Sequence, residues 1–138
     1  MVEEGAYQRV FYDGTIAPEK FVETMQKPSN VVVFFFDHFE PLGLAWLNGL
    51  NGSTAFAHFC GLKSARGRSV EIGRAALGYW MQNFKFLRVI LGLTPSNNRL
   101  AVRFIERIGF SVMGEIPGVL FDAYQGRDVS AVLSYYVR

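Results

Sequence analysis

The spacing of apolar residues changes partway along the chain. Up to Leu62 they come in short continuous or alternating runs; from Val70 such runs are interleaved with helical spacing. VVVFFF, Val31 to Phe36, is an unbroken β-branched and aromatic stretch, which predicts a buried strand. Pro41 is expected to break it, with a second strand from Leu42 to Leu47. Two Asn-Gly turn signals between Asn48 and Gly52 predict a hairpin into a third strand, Ser53 to Leu62. Ile72, Ala76, Tyr79, Trp80 and, less regularly, Phe84 then recur at helical spacing. Leu87 to Leu93 reads as a buried strand, and the TPSNN segment after it as a turn leading into a helix. That helix carries the stripe Leu100, Phe104, Ile108 and is closed by Gly109. Strands are expected at Phe110–Ile116 and Val129–Val137. Upstream, Tyr7 to Tyr12 reads as a short strand turning at Asp13-Gly14, and Pro18 as the first turn of a helix reaching about Gln26. The resulting order, β-α-β-β-β-α-β-α-β-β, calls for a mixed α/β sheet in a single domain over residues 1–138.

Composition narrows the classes. Half of the residues are hydrophobic and 19% charged, which excludes a disordered chain. The longest apolar run is too short to span a bilayer, and MVEEGAYQRV lacks the apolar core of a signal peptide, so a cytoplasmic protein without membrane contact is expected. The lone Cys60 excludes an internal disulfide and a cysteine metal cage; no metal site is expected. Net charge is only +2, which argues against nucleic acid as a partner. The charge is uneven, however. Lys63 to Arg107 holds nine basic residues against two acidic, a local +7, which suits an anionic ligand.

Two segments in that half carry chemistry. In ARGRSVEIGRAAL, Ala65 to Leu77, the Arg66-Gly67-Arg68 turn leads from a strand into a helix. A helix start exposes unpaired N–H groups and a partial positive charge, a natural seat for pyrophosphate. Arg66, Arg68 and Arg74 would add charge-assisted hydrogen bonds, and Gly73 would let a ligand or a neighbouring strand approach. The second segment, SNNRLAVRFIERIGF, follows the next buried strand; Asn97 or Asn98 can cap its helix.

On Asn98, Ala101, Glu106, Gly109 and Phe110, with the late Tyr-x-Gly-x-Asp-Val of Tyr124 to Val129, the chain resembles the GNAT superfamily of N-acetyltransferases. The family's Gln/Arg-x-x-Gly-x-Gly/Ala loop is matched at Arg68 and Gly73, and the element order agrees from about Val31 to Arg138. The Arg-Gly-Arg and Glu-Ile-Gly pattern is also similar to short phage-encoded GNAT-like proteins. The resemblance implies a mostly antiparallel sheet, splayed at its central strands, with helices on both faces. It implies acetyl-CoA as co-substrate, its pyrophosphate on the Arg66–Gly73 segment, including Ser69 and Ile72. Its pantetheine would run along Phe56 to Gly61, past Phe59 and Cys60, with Asn98 facing it and Arg103 nearby. The reaction is direct attack of a small-molecule or peptide amine on the thioester. His58 and, second, Glu40 are the candidate bases; His38, Asp122 and Tyr124 are the candidate acceptor contacts.

Two departures are visible. Glu71 replaces the first loop glycine and would repel pyrophosphate unless it points away or pairs with Arg68 or Arg74. Ile105 occupies the position where many members carry a tyrosine acid. Both favour a rival reading, a GNAT-like binding module with weakened catalysis. A nucleic-acid-binding domain using the basic half is the third reading. Exposed edge strands are compatible with a homodimer.

Overall fold

A computed structural model of the protein describes residues 20–138. The expected Tyr7–Tyr12 strand, the Asp13-Gly14 turn and the start of the first helix at Pro18 lie outside the described residues. In chain order the elements are α1 (Phe21–Met25), β1 (Val31–Asp37), β2 (Glu40–Asn51), β3 (Thr54–Gly61), a 3-10 turn (Lys63–Ala65), α2 (Ser69–Asn83), β4 (Val89–Pro95), α3 (Arg99–Ile108), β5 (Ser111–Asp122) and β6 (Arg127–Val137). The six strands form one sheet in the order β1-β2-β3-β4-β6-β5. Every neighbouring pair is antiparallel except β3 and β4. The expected mixed, mostly antiparallel sheet is therefore present.

Pro41 does not end a strand as expected. It lies inside β2 opposite Phe36, where the β1–β2 register shifts, and the chain turns tightly between Asp37 and Glu40. An irregularity at the end of a hairpin tolerates a residue without an N–H. His38 takes a left-handed φ of 55° in that turn.

Alternation along the strands assigns their faces. Val31, Val33 and Phe35 of β1, Ala45 and Leu47 of β2, Ala55, Ala57 and Phe59 of β3, and Ile90 of β4 face a core completed by helix residues. Those are Ala76, Leu77 and Trp80 of α2 and Ile105 and Ile108 of α3, so both long helices pack on this face. Gly73 explains how closely: a β-carbon there would lie 2.7 Å from Ile108 and 2.8 Å from Phe104. Leu42, Leu44 and Trp46 of β2, with Met25 of α1, are buried apart from that core.

The helix ends follow from local chemistry. The Asn98 carboxamide oxygen accepts the Ala101 N–H at 3.2 Å, an N-cap bond. Gly109 takes φ 115°, its N–H donates to Glu106 O and that of Phe110 to Ile105 O, the Schellman closure. The far end of α2 is held by Arg138, whose guanidinium donates to the carbonyls of Met81, Phe84 and Leu87. Among the described residues no helix is long and apolar enough to cross a membrane.

Candidate functional site

The sheet opens at its centre. β3 and β4 pair only over Thr54–Phe56 with Val89–Leu91, then part. The gap becomes a cavity of about 340 Å³. One wall is Ala57 to Gly61 of β3 and the other Gly92 to Pro95 of β4; Ser69, Asn98, Leu100, Ala101, Phe104 and Ile105 line it from the helices.

Main-chain groups supply part of its lining. The Leu62 N–H donates to Leu42 O, in register with the β2–β3 ladder. Bonding alternates along an antiparallel ladder, so the main-chain groups of Ala57, Phe59 and Gly61 point away from β2; the Ala57 N–H closes the last β3–β4 bridge, and the Ala57 carbonyl with the groups of Phe59 and Gly61 faces the gap. By the same argument the Arg138 N–H on Arg88 O turns the main chain of Leu93 toward the gap and that of Thr94 toward β6. Past the Phe56–Leu91 bridge the main chain of Phe59 and Gly61 faces the cavity and has no paired strand on that side among the described residues.

Two helix N-termini converge on the same cavity. Ser69 of α2 and Asn98 and Ala101 of α3 line it together, and farther on Gly73 abuts Phe104 and Ile108. The helices thus run side by side with their positive ends at one mouth. The α3 start is capped by Asn98, whereas no side chain caps α2.

The expected loop residues divide. Gly67 adopts φ 84°, the left-handed turn conformation open to glycine. Arg66 is exposed. Glu71 pairs with Arg68, accepting from Nε and Nη2 at 3.3 Å each, while Arg68 Nη1 donates to Asp37 at 2.8 Å. The Arg68 guanidinium, expected on a ligand phosphate, is thus shared between two carboxylates. The hydrogen bond from His38 and the charge of Arg68 hold the Asp37 carboxyl below its usual range. Gly73 lies in the α2–α3 contact, which leaves no room for a side chain there, and Ile72 is half-buried on the first turn. Arg74 donates to the Arg107 carbonyl at 3.0 Å, at the far end of α3. Arg103 is exposed and outside the cavity lining.

Of the residues expected nearer the reaction, His58, Phe59, Cys60 and Asn98 all line the cavity. His58 stacks on Trp46 with ring centroids 4.9 Å apart, and its Nε2 lies 2.9 Å from Asn48 Oδ1. With the carboxamide oxygen as acceptor, the ring carries its proton on Nε2 and keeps Nδ1 as an acceptor. Burial pushes the His58 pKa down to about 4. Glu40 and His38 sit exposed in the β1–β2 turn. Asp122 accepts the N–H groups of Tyr124 and Gln125 at 3.0 Å each, which shapes the β5–β6 turn; neither it nor Tyr124 lines the cavity. Ile105 is a buried core residue with one side on the cavity. The sequence reading missed Thr94, buried on the β4 wall, because it was absorbed into the turn after Leu93. A single hydroxyl at the end of an otherwise apolar buried run was the available signal. Among the described residues no group of His, Cys, Asp or Glu could hold a metal ion.

No protein-family model and no curated protein matches the sequence. Solved structures do match by shape. A spermidine N-acetyltransferase from Vibrio cholerae, in complex with CoA and spermine, superposes with a TM-score of 0.79 at 17% identity, covering 96% of this chain and 82% of that one. The microcin C7 self-immunity acetyltransferase MccE, in complex with acetyl-CoA and AMP, gives 0.73 at 12% identity, covering 86% and 69%. The parted central strands, the paired helix starts and these superpositions agree: the chain has the fold of the GNAT N-acetyltransferases.

Proposed function

We propose that the protein transfers an acetyl group from acetyl-CoA to a primary amine by direct attack. The observation that carries this reading is the gap between β3 and β4, onto which both helix N-termini open. The outward main chain of Ala57, Phe59 and Gly61 suits an extended, amide-bearing arm laid in as an extra strand. The uncapped first turn of α2, with Gly67 before it and Arg66 beside it, suits pyrophosphate. A thioester in the gap would lie along the strand that carries His58, which lines the same cavity. Holding amine and thioester together supplies the largest part of the acceleration. His58 Nδ1 is the proton acceptor of this reading; with a pKa of about 4 it is a weak one, so the amine is best attacked from its neutral form. Glu40 in the β1–β2 turn is the second base, and His38, Asp122 and Tyr124 are the outlying acceptor contacts. The spermine complex among the structural neighbours supports an amine acceptor. The exposed apolar edge of β5, with Met113 and Phe121, supports a homodimer.

A second reading, a GNAT-like binding module with weakened catalysis, draws on the Arg68 guanidinium held by Glu71 and Asp37 and on Ile105. Calorimetric titration of acetyl-CoA into the protein and into Arg68→Ala and Glu71→Gly decides between them. Micromolar binding, with turnover on a panel of polyamines and peptide amines, is the expected result. Binding only after Glu71→Gly indicates a disabled transferase, and no binding by any of the three removes the cofactor assignment.

A further inference from the structure

Thr94 stands out once the cavity's polar side chains are accounted for. It is only 9% exposed and lines the cavity on the β4 wall. Its main chain is directed to Val132 of β6. Its hydroxyl makes no hydrogen bond with any described residue, whereas the other two buried polar side chains, Ser134 and Asp122, are bonded to Gly92 O and to two turn amides. Among the described residues the one side-chain polar atom sealed from solvent without a partner is Trp80 Nε1. The Thr94 hydroxyl is therefore not sealed, and its residual exposure opens into the cavity. A hydroxyl open to a cavity bonds to whatever fills it, water when the gap is free and a ligand atom when a ligand displaces that water.

Elimination identifies the ligand atom. The β3–β4 register, extended past Phe56 and Leu91, sets Thr94 across from Phe59, between the closed end of the gap and the helix starts. Carbonyl oxygens and amides of an extended ligand would find main-chain partners at Phe59, Gly61 and Leu93 and at the Ala57 carbonyl. Ser69 and Asn98 sit at the helix starts, where phosphate fits. His58 gives its N–H to Asn48 on the opposite face of the sheet. Ile105 has no hydrogen to give. A thioester sulfur accepts weakly but becomes a full anion as the C–S bond breaks, and the arm-pairing amides do not serve it.

On the acyltransferase reading, we propose that the Thr94 hydroxyl donates a hydrogen bond to the thioester sulfur and stabilises the departing thiolate. In that step the neutral amine's nitrogen bonds to the carbonyl carbon, the C–S electron pair leaves on sulfur as the thiolate, and the proton the nitrogen loses passes to His58 Nδ1, the acceptor of the proposed reaction. Thr94 keeps its own proton and lowers the basicity of the sulfur by hydrogen bonding.

The test is the thiol pKa of bound CoA, followed by thiolate absorbance in the ultraviolet, in the native protein, Thr94→Val and Thr94→Ser. A free thiol titrates near ~8.5. The native complex is expected below that value, and Thr94→Val about one unit higher than native. One pKa unit and a tenfold rate correspond to the same free energy, so kcat at saturating acetyl-CoA then falls by up to about tenfold, in proportion to the thiolate charge developed in the transition state, with KM little changed. Thr94→Ser is expected to restore both. An unmoved thiol pKa in Thr94→Val, with CoA affinity lowered, overturns the assignment in favour of a contact to the pantetheine amides. Equal losses of melting temperature in both variants with an unmoved pKa overturn it in favour of a packing role. Failure of the native protein to bind CoA removes the acyltransferase reading and this proposal together; CoA binding and turnover indifferent to Thr94→Val remove this proposal alone.

Discussion

The starts of α2 and α3 meet at one cavity yet are finished differently. At α3, Asn98 turns its own side chain back onto the Ala101 N–H, and the helix end is satisfied from within. At α2 no side chain caps the first turn, and Arg68, which stands in the cap position, reaches sideways to Glu71 and Asp37. One start spends a side chain on one of its own amides, and the other has no side-chain cap among the described residues. On the proposed reading the difference favours α2 as the seat of a ligand anion, because unsatisfied N–H groups gain most by meeting it. It also recasts Glu71: bound to Arg68, its charge is partly offset, and it in turn draws off the guanidinium charge that would help an anion at the helix start.

The most damaging way to disturb this pair is to force the helices apart. Gly73→Val places new atoms where a β-carbon alone already meets Ile108 and Phe104. Urea unfolding is expected to show a loss of about 3 kcal/mol, the upper part of the range for overpacking.

Acid should act next, through His58. Its folded pKa of about 4 lies below the unfolded value of 6.5, so between these values the unfolded chain binds more protons. This contribution to stability is complete above pH 6.5 and is lost as pH falls toward 4, by up to about 3 kcal/mol. Unfolding free energies of the native protein and His58→Gln, measured from pH 7 to pH 4, should differ by that slope. Parallel profiles would mean that the imidazole is not buried neutral against Trp46.

The two caps themselves can then be set against each other. Asn98→Ala is expected to lower stability by about 1 kcal/mol, as lost N-caps do. Arg68→Ala caps nothing and should leave the melting temperature close to native while weakening acetyl-CoA. The smallest effect is expected from Glu71→Gln, which releases one side of Arg68. Stability should barely move, and acetyl-CoA should bind a few-fold tighter, most clearly at low salt. Equal or weaker binding would show that Arg68 is needed on Asp37 and not on the ligand.

The same contrast separates what could be read from the chain alone. The cap at Asn98 and the stop at Gly109 are local, each set by residues three or four apart, and the structure contains both as expected; of the stripe Leu100, Phe104, Ile108 only the last two pack inward, Leu100 being exposed and Ile105 buried in its place. The run Val31 to Phe36 was equally legible as a strand, but not the burial expected of it: β1 is an edge strand, with Phe34 and Phe36 exposed. Pro41 was not, since whether a proline breaks a strand or sits at its irregular end depends on the partner strand. Gly73 fitted the pattern of a ligand loop, yet its reason is Phe104, thirty-one positions away in sequence.

Amphipathic spacing, turn dipeptides and caps therefore determined the elements and their order, because each is paid for within a few residues of itself. Tertiary structure decided everything that depends on which distant groups become neighbours. It parted β3 from β4, set two helix starts at one mouth, gave Arg68 to two carboxylates, pressed His58 against Trp46 and left Thr94 facing the cavity without a partner. Burial and electrostatic pairing are properties of the assembled surroundings, and no spacing along the chain encodes them alone.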